Sequence, residues 1–516
     1  MRTPYLFCRS IAGKQNNKSI ELFEITYFNE KKRGLYIVAK QRQFRLEAIA
    51  NNIAQKNYDI VALQEVWMLE DVEYIKEKTK NNLPFAHHFR SGTLGSGLIL
   101  LSKFPVLSSS YLKFSLAGRP LKVFQGDYFV GKGCAGITVD HPDIGLIDVY
   151  TTHLQAGYGL VDDFEVQRIT ECWQIVQCVR NSAAQGRHVI LTGDFNSVPT
   201  SLCYQLLKYH GFMTDSWLEV HEQGMVKSLE QFNKDEMTAS ECIQQFGITC
   251  NSPLNTWTQH FSKQPEASHK GVGDRLDYIF YRCTPQLFCK SSKVVMEEYI
   301  PGTEMSFSDH FAVHSVFTVK SKRNTPLLMV ETDSVDDKVK HLFAPLQQQV
   351  VRPNFTNMPS ETFKTITHLI EKETHRAKLT STKHLTILCV STVMIVIIYA
   401  IQIIVPQLFH DSLLASLLTS VISGLSLILL AIVAIISLIV GFVFGKMEQR
   451  TLNQFLSDLN LCLEAINHKQ QCSVLNDDAT MLTGRESTLE YSGATSKDTT
   501  TISASTITTA STKQDD

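Results

Sequence analysis

Short apolar stretches that each lead to a polar residue constrain the fold of this chain most. The stretch 59–63 is followed by Glu65, 144–150 leads to His153, and 188–192 leads to Asp194. Short apolar runs of this kind are typical of strands buried on both faces. The pattern predicts several buried strands whose ends carry polar, chemically active side chains.

Helical patterns are interspersed with these strands. Apolar residues at helical spacing predict a helix over 40–55, and a second helix is predicted over 164–179. Another buried strand is predicted at 97–101. The mixture of strands and helices predicts a layered α/β sandwich that closes near 317–319.

Glu65 is the candidate ligand for a divalent cation. Mg²⁺ takes few protein carboxylates and completes its shell with water and substrate phosphate, so one well-placed glutamate can start such a site. A single glutamate after a strand is more often simply solvated. The prediction therefore depends on the whole set of motifs.

His310 is the candidate general base, because the pKa of an imidazole lies near neutrality. Such a base needs a carboxylate on its other ring nitrogen to orient it. Asp277 is the first choice for this role and Asp309 the second. The alternative is a structural histidine at a strand end, capped by the neighbouring aspartate.

Further candidates serve the phosphate and the attacking water. His153 could donate a hydrogen bond to a phosphate oxygen as charge builds up. Asp194 and Asn196 are two residues apart, so on an extended segment they would face the same way. Asp194 could orient water or bind metal, and Asn196 could donate its amide to the phosphate. Lys132 could bind a phosphate, although a solvated turn lysine is the alternative.

Composition narrows the class of partner and the compartment. The formal net charge is −2 and the chain has no block of Lys and Arg, so a nucleic acid is not expected as partner. The twelve cysteines show no CxxC pair, which argues against a zinc site. Because no apolar signal-peptide core follows Met1, we expect reduced thiols.

Two long apolar runs lie near the C-terminus, at 385–405 and 413–444. Each exceeds the roughly 20 residues that cross a bilayer. We predict two membrane-spanning helices, at about 385–405 and 421–444, which form a hairpin. Lysine and arginine flank the hairpin on both outer sides and are absent from its turn, so the positive-inside rule places the catalytic domain and the tail in the cytosol.

These patterns divide the chain into six parts. They are a polar N-terminal segment (1–20), a catalytic domain (21–320), a juxtamembrane linker (321–383), a transmembrane hairpin (384–445), an amphipathic helix (446–471) and a disordered Ser/Thr-rich tail (472–516). The predicted membrane is an endomembrane, such as the endoplasmic reticulum, or the plasma membrane. The sequence does not predict an oligomeric state.

Taken in order, the motifs resemble the DNase-I-like exonuclease–endonuclease–phosphatase superfamily. Within it, the chain is similar to the small, two-span neutral sphingomyelinases, from about residue 34 to 319. The segments that carry this resemblance are Leu63-Gln64-Glu65-Val66-Trp67, His87-His88-Phe89-Arg90-Ser91-Gly92, Gly126-Asp127-Tyr128-Phe129, Thr152-His153-Leu154, Gly193-Asp194-Phe195-Asn196, Asp274-Arg275-Leu276-Asp277 and Ser308-Asp309-His310.

The resemblance implies a four-layer α/β/β/α sandwich and phospholipase C-type cleavage of sphingomyelin to ceramide and phosphocholine. It implies that Glu65 carries Mg²⁺ and that His310 is the base. It also implies that His153, Asp194 and Asn196 serve the water and the phosphate.

The first strand departs from the family pattern. The family has Asn-Cys-Trp-Gly there, and its asparagine helps to organise the metal site. This chain has Lys31-Lys32-Arg33-Gly34 instead. Asn29 could replace the missing asparagine as a metal ligand if the strand shifts by two residues, since a shift by one would reverse its faces.

Two other functions remain open at this stage. The same chemistry could act on another substrate, such as a lyso-phospholipid or a phosphoinositide, although the Cys-Asp-Arg loop of the inositol phosphatases is replaced by Gly273-Asp274-Arg275. Alternatively, the altered first strand could make the chain a catalytically impaired membrane scaffold.

Overall fold

The computed structural model describes residues 18–27, 41–122, 126–157, 162–221, 237–261, 273–320, 356–408 and 413–489. Within these residues the chain forms two six-stranded sheets. The strands are β1 (Lys18–Thr26), β2 (Ile60–Gln64), β3 (Phe85–His88), β4 (Ile99–Ser102), β5 (Val106–Lys113), β6 (Gly133–His141), β7 (Gly145–His153), β8 (His188–Asp194), β9 (Thr214–Asp215), β10 (Asp277–Tyr281), β11 (Leu287–Val295) and β12 (Ala312–Val319).

Helices cover the sheets and continue towards the C-terminus. They are α1 (Arg42–Gln55), α2 (Leu69–Thr79), α3 (Asp127–Val130), α4 (Glu165–Ala184), α5 (Leu202–Gln205), α6 (Ala239–Phe246), α7 (Thr256–Phe261), α8 (Ser360–Leu408), α9 (Leu413–Leu438) and α10 (Gly445–Leu489). Two π-helical segments, Leu206–His210 and Ile439–Phe444, extend α5 and α9.

The two sheets pack face to face and helices cover their outer sides. The first sheet has the order β11-β12-β1-β2-β4-β3, and the second has β5-β6-β7-β8-β10-β9. Apolar side chains from both sheets fill the space between them, among them Leu22, Ile60, Val149 and Ile279. Helices α1 and α2 cover the first sheet, and α4 packs against β8. The predicted four-layer α/β/β/α sandwich is confirmed.

Strand β1 shows how the alternation of side chains builds two layers at once. Phe23 and Ile25 pack towards α1 and α2, whereas Ile20 and Leu22 face the second sheet. Because successive side chains point to opposite faces, Glu24 and the last residue of β1 also face the second sheet. The strand pairs with β2 in parallel and with β12 antiparallel. The register therefore directs polar side chains of β1 into the interior.

The C-terminal helices α8 and α9 are long and apolar enough, by length and composition, to cross a membrane. Helix α8 begins at Ser360, so the last part of the predicted linker is continuous with the first candidate span. Helix α10 extends to Leu489, beyond the predicted amphipathic helix and into the predicted tail. No proline interrupts this stretch, which allows the helix to continue. Residues 490–516 lie outside the described residues.

The chain divides into two compact units, one up to Leu459 and one from Asn460. The first unit contains both sheets and the helices α8 and α9. In the second unit, the part that the structure describes is helical.

Candidate active site

Three neighbouring strands bring predicted site residues side by side. His153 is the last residue of β7 and lies opposite Asp194, the last residue of β8. Asp194 in turn lies opposite Asp277, the first residue of β10. Because β10 runs antiparallel to β8, its beginning and the end of β8 share one edge of the sheet. The strand register alone therefore assembles a carboxylate pair beside an imidazole.

His310 and Asp277 form a hydrogen-bonded pair. Nδ1 of His310 lies 2.8 Å from Oδ2 of Asp277, and both side chains are buried. The other oxygen of Asp277 accepts a hydrogen bond of 3.1 Å from the Thr26 hydroxyl. Asp277, the first choice for the orienting carboxylate, therefore contacts the imidazole directly. Proton transfer by His310 would then use its other ring nitrogen, Nε2.

Asp309, the second choice, faces a different set of groups. Oδ1 of Asp309 accepts a hydrogen bond of 3.1 Å from the Ser308 hydroxyl, which also donates to the carbonyl of Thr26 at 2.6 Å. The amide of Asn255 holds the backbone carbonyls of Ser308 and Asp309. Burial raises the pKa of Asp309. These contacts suit a residue that positions the loop before β12.

Asp194 and Asn196 form a compact turn. Asn196 has a left-handed backbone, with φ of 44°, so the segment is not extended as the spacing suggested. Its backbone N–H donates to Oδ1 of Asp194 at 2.8 Å and its side-chain amide donates to Oδ2 at 3.1 Å. The same amide donates to the carbonyl of Leu154 at 3.1 Å. Asparagine tolerates this left-handed conformation better than most residues, which explains the residue type.

His153 lies between two carboxylates. Its Nε2 is 3.6 Å from Oδ2 of Asp194 and 3.9 Å from Oε1 of Glu65. Glu65 follows β2 directly and has a left-handed backbone, with φ of 63°. A positive φ is uncommon for residues other than glycine and often marks a functional position. Strand ends from both sheets thus converge on His153.

The donor set fits a hard divalent cation. One ligand atom each from Asp194, Asp277 and His310 lies within 4.8 Å of the others. Glu65, the predicted ligand, lies 3.9 Å from Nε2 of His153 and is not part of this group, so its binding of a cation stays a prediction. Carboxylate oxygens are the ligands that Mg²⁺ prefers.

The buried carboxylates and the imidazole shift one another's proton affinity. Burial, and next the neighbouring Asp277, raises the pKa of Asp194 to about 7. Burial lowers the pKa of His310, but Asp277, Cys250 and Asp309 together raise it well above its usual range. Cys250, which sequence reasoning missed, lies opposite His310 in an isolated β-bridge. The cluster therefore holds protons more tightly than the isolated side chains would.

Lys132 points into the protein. Its ammonium donates to the carbonyl of Leu154 at 2.6 Å and lies 3.6 Å from Oδ1 of Asp127. The side chain is buried, and the Leu154 carbonyl is the one that also accepts the Asn196 amide. Lys132 therefore supports the turn that carries Asn196. Direct binding of phosphate by Lys132 stays a prediction.

The first strand contributes two residues that sequence reasoning missed. Thr26 ends β1 and contacts both Asp277 and the side chain of Gln64, at 3.1 and 3.3 Å. Glu24 is fully buried two residues earlier on the same face, and neither oxygen has a hydrogen-bond partner among the described residues. Burial, and next Asp277 and Asp194, raises the pKa of Glu24 well above its usual range. Asn29, the predicted substitute ligand, lies outside the described residues.

Strand alternation was the signal that could have revealed Thr26 and Glu24. Inward-facing Ile20 and Leu22 establish the phase of β1, and two further steps along that face reach Glu24 and Thr26.

Two facing sheets covered by helices, with carboxylates and histidines gathered at one edge, define a DNase-I-like α/β sandwich. The chain belongs to the Endonuclease/Exonuclease/phosphatase family, whose pattern matches residues 38–310.

Several characterised proteins are similar to this chain. An inositol phosphosphingolipids phospholipase C of Schizosaccharomyces pombe is 37% identical over 289 residues, which are 56% of this chain and 66% of that protein. Sphingomyelin phosphodiesterase 2 of Homo sapiens is 29% identical over 296 residues, 57% of this chain and 64% of that protein. The chain thus spans less than two thirds of the length of either relative. The crystal structure of sphingomyelinase C from Streptomyces griseocarneus aligns with 59% of this chain over 100% of its own length. The sequence identity is 17% and the TM-score is 0.40.

Proposed function

We propose that the chain is a Mg²⁺-dependent phosphodiesterase that cleaves sphingomyelin at a membrane surface, in the manner of a phospholipase C. The products are ceramide and phosphocholine. The observation that carries this proposal is the His310–Asp277 pair at 2.8 Å, beside the Asp194–Asn196 turn and His153. The relatives that act on phosphosphingolipids support the substrate class.

His310 acts as the general base. Asp277 accepts the Nδ1–H hydrogen bond, so in the neutral form of the imidazole Nε2 is the nitrogen that takes a proton from water. The resulting hydroxide attacks phosphorus, the bond from phosphorus to the ceramide oxygen breaks, and that oxygen takes up a proton to become the alcohol. Asp277 stabilises the imidazolium while it carries the proton.

His153 and Asn196 stabilise the phosphate. The His153 ring lies beside Asp194 and Glu65, at the edge where it could donate a hydrogen bond to a phosphate oxygen. Asn196 is held by Asp194 and by the Leu154 carbonyl, so its amide is fixed before substrate arrives. Donors that are fixed in advance need no reorganisation as charge builds up.

Glu65 and Asp194 would hold the magnesium ion. When bound, the ion neutralises charge on the phosphate and supplies Lewis acidity. Asn29 remains a predicted additional ligand. The chain's own contribution is the left-handed turn at Glu65, which brings a carboxylate from the first sheet towards His153 on the second.

The apolar helices α8 and α9 anchor the enzyme in the bilayer that contains its substrate. The catalytic domain and the tail lie on the cytosolic side of an endomembrane or the plasma membrane. Anchoring makes the encounter with lipid two-dimensional, so the effective concentration of substrate is high without strong headgroup affinity.

An inositol phosphosphingolipid is the second candidate substrate. The S. pombe phospholipase C that matches this chain at 37% identity carries that substrate in its name, whereas the human sphingomyelin phosphodiesterase matches at 29%. The two lipids share the scissile phosphodiester on ceramide and differ in the headgroup. The same catalytic residues would serve both.

A substrate panel tests the proposed function. The full chain in detergent is assayed with Mg²⁺ on sphingomyelin, an inositol phosphosphingolipid, a lyso-phospholipid, a phosphoinositide and DNA. We expect release of ceramide from sphingomyelin and loss of this activity in His310→Ala. His87→Ala, on edge strand β3 of the first sheet, is the matched control and should retain it. Hydrolysis of DNA or phosphoinositide alone, or full activity of His310→Ala, contradicts the proposal.

A further inference from the structure

Two loops and the short helix α3, next to the catalytic cluster, carry exposed apolar side chains. Leu94 is 37% exposed, Leu121 52% and Tyr128 37%. Single exposed apolar residues are common on soluble surfaces, but a group on neighbouring loops marks an interaction surface. We call these three side chains the apolar rim.

Close backbone packing holds these three segments together. A Cβ atom added to Gly118 would lie 2.5 Å from the backbone nitrogen of Tyr128, so the loop with Leu121 approaches α3 as only glycine allows. The backbone N–H groups of Thr93 and Leu94 both donate to the carbonyl of Phe129, at 2.8 and 3.1 Å. The apolar rim is therefore one connected surface.

The apolar rim adjoins the point where the candidate spans begin and end. The ring of Tyr128 meets the ring of Phe444 edge to face, with 5.5 Å between centroids. Phe444 is the last residue of the second apolar run. A groove of about 200 Å³ is lined by Leu121 together with Ala377, Val440 and Phe444. The rim thus lies beside the end of the second apolar run.

Ion pairs fix the loop of Leu121 to helix α8. Arg119 binds Glu373 of α8 at 2.9 Å, and Lys122 binds Asp163 at 3.1 Å. Arg376 of α8 approaches the same Asp163 at 3.7 Å. The side chains of Arg119 and Glu373 are largely buried, so this contact is less screened than a surface pair. Helix α8 and the rim are therefore expected to keep one orientation.

The rim is also linked to the catalytic cluster. Helix α3, which carries Tyr128, leads directly to Lys132, whose ammonium donates to the carbonyl of Leu154. That carbonyl also accepts the amide of Asn196. A surface that contacts lipid at Tyr128 would hold the cluster at the level of the headgroups.

We propose that the apolar rim inserts into the leaflet that anchors the hairpin and so turns the catalytic cluster towards the lipid headgroups. The partner is the bilayer surface itself, because the rim is continuous with the ends of the two candidate spans. The inference rests on the proposed membrane-anchored function. Its experiments are chosen to separate the two.

Lipid-chain quenching tests the contact directly. Three forms of the full chain are compared: the parent, Leu121→Trp and Leu146→Trp. Each is reconstituted into vesicles of sphingomyelin and phosphatidylcholine, with or without brominated acyl chains. Leu146 is the matched control, because it is 38% exposed and lies near the start of β7, at the far end of that strand from His153. We expect bromine to quench the emission added by Leu121→Trp and not that added by Leu146→Trp. Equal quenching of both, or of neither, overturns the proposal.

Activity provides the second measurement. Leu121→Asp should lower hydrolysis in vesicles by about tenfold, since a charge in place of a leucine that enters the leaflet opposes insertion. It should leave hydrolysis in detergent micelles unchanged, and Leu146→Asp should behave like the parent in both. An equal loss of activity in vesicles and micelles would contradict the proposal that the apolar rim inserts into the leaflet. If the parent hydrolyses no lipid in either system, the proposed function is wrong. The quenching experiment still shows whether the apolar rim inserts into the bilayer, because it does not depend on activity.

Discussion

The hydroxyl of Thr26 donates a hydrogen bond of 3.1 Å to Oδ1 of Asp277, on the side away from His310. This contact joins the last residue of β1, in one sheet, to the first residue of β10, in the other. It places a threonine from β1 against the carboxylate that we propose as the orienting group of the base. Strand β1 thus supplies a polar group to the candidate site.

Thr26→Val should lower kcat about tenfold and change KM little. Valine has nearly the same shape but cannot donate, so a buried carboxylate oxygen loses a hydrogen bond that contributes about 1.5 kcal/mol. Steady-state kinetics on sphingomyelin micelles measures the effect. Thr26→Ser keeps the hydroxyl and should restore most of the rate. If valine and serine lower kcat equally, the hydrogen bond is not the cause.

Asp277→Asn should lower kcat by about 10³-fold or more, whereas Asp309→Asn should have a much smaller effect. An asparagine at 277 no longer holds the imidazole in the tautomer that leaves Nε2 free, which is costly in other His–Asp pairs. Asp309 bonds to Ser308 and acts on the loop. Comparison of the two kcat values at constant Mg²⁺ measures the difference. Similar losses in both variants would assign the orienting role to the pair of aspartates together.

The structure brings several predicted site residues together, but the local geometry at Asn196 differs from the one that the spacing suggested. The strand ends were recognisable because short apolar runs stop at polar residues, and β7, β8 and β10 then align His153, Asp194 and Asp277 by register. The left-handed turn at Asn196 was not predictable from spacing, because it depends on two hydrogen bonds to Asp194 that form only in the folded chain.

Lys132 and the first strand illustrate a second limit. Whether a lysine faces solvent or donates to a buried carbonyl depends on loops that pack through tertiary contacts. The contribution of Thr26 depends on pairing of β1 with β2 and β12, which are distant in sequence. Local patterns fix which face of a strand is apolar, but partners across the sandwich are fixed only by the whole fold.

Removal of Mg²⁺ should abolish hydrolysis, and Glu65→Gln should require a higher Mg²⁺ concentration for half-maximal rate. Replacing one of two carboxylates removes a charge from the ligand set that we propose, so affinity for a hard cation falls. Titration of Mg²⁺ into chelator-treated protein measures the shift, which we expect to exceed about tenfold. Glu70→Gln, at an exposed position of α2, is a control whose Mg²⁺ midpoint should equal that of the parent. An unchanged midpoint in Glu65→Gln would exclude Glu65 as a ligand.

Glu24→Leu should raise the free energy of unfolding by about 2 kcal/mol at neutral pH. The carboxyl is fully buried without a hydrogen-bond partner among the described residues, so an apolar side chain of similar size avoids its desolvation cost. Denaturant unfolding in detergent measures the difference. Because the folded state raises the pKa of Glu24, the gain should shrink as the pH falls towards the ordinary range of a glutamate. A gain that grows in acid would contradict this account.

His210 should make the contact between the catalytic domain and α8 sensitive to acid. Its ring stacks on Trp173, with 5.0 Å between centroids, and meets Phe363 of α8 edge to face at 5.5 Å. Burial, and next Arg180, lowers the pKa of His210 to about 3. An exposed histidine has a pKa of about 6.5, so the open state binds the proton more readily. The stabilising contribution of neutral His210 is therefore present above about pH 6.5 and is lost as the pH falls towards 3.

Hydrogen exchange of the 360–370 amides, corrected for the intrinsic rate, measures this loss between pH 7 and 5. We expect the opening free energy to fall by up to about 1.4 kcal/mol per pH unit in the parent, and His210→Gln should remove most of that slope. Arg180→Met should keep most of it, because burial is the larger cause of the lowered pKa. If His210→Gln retains the full slope, the acid sensitivity of this contact does not come from His210.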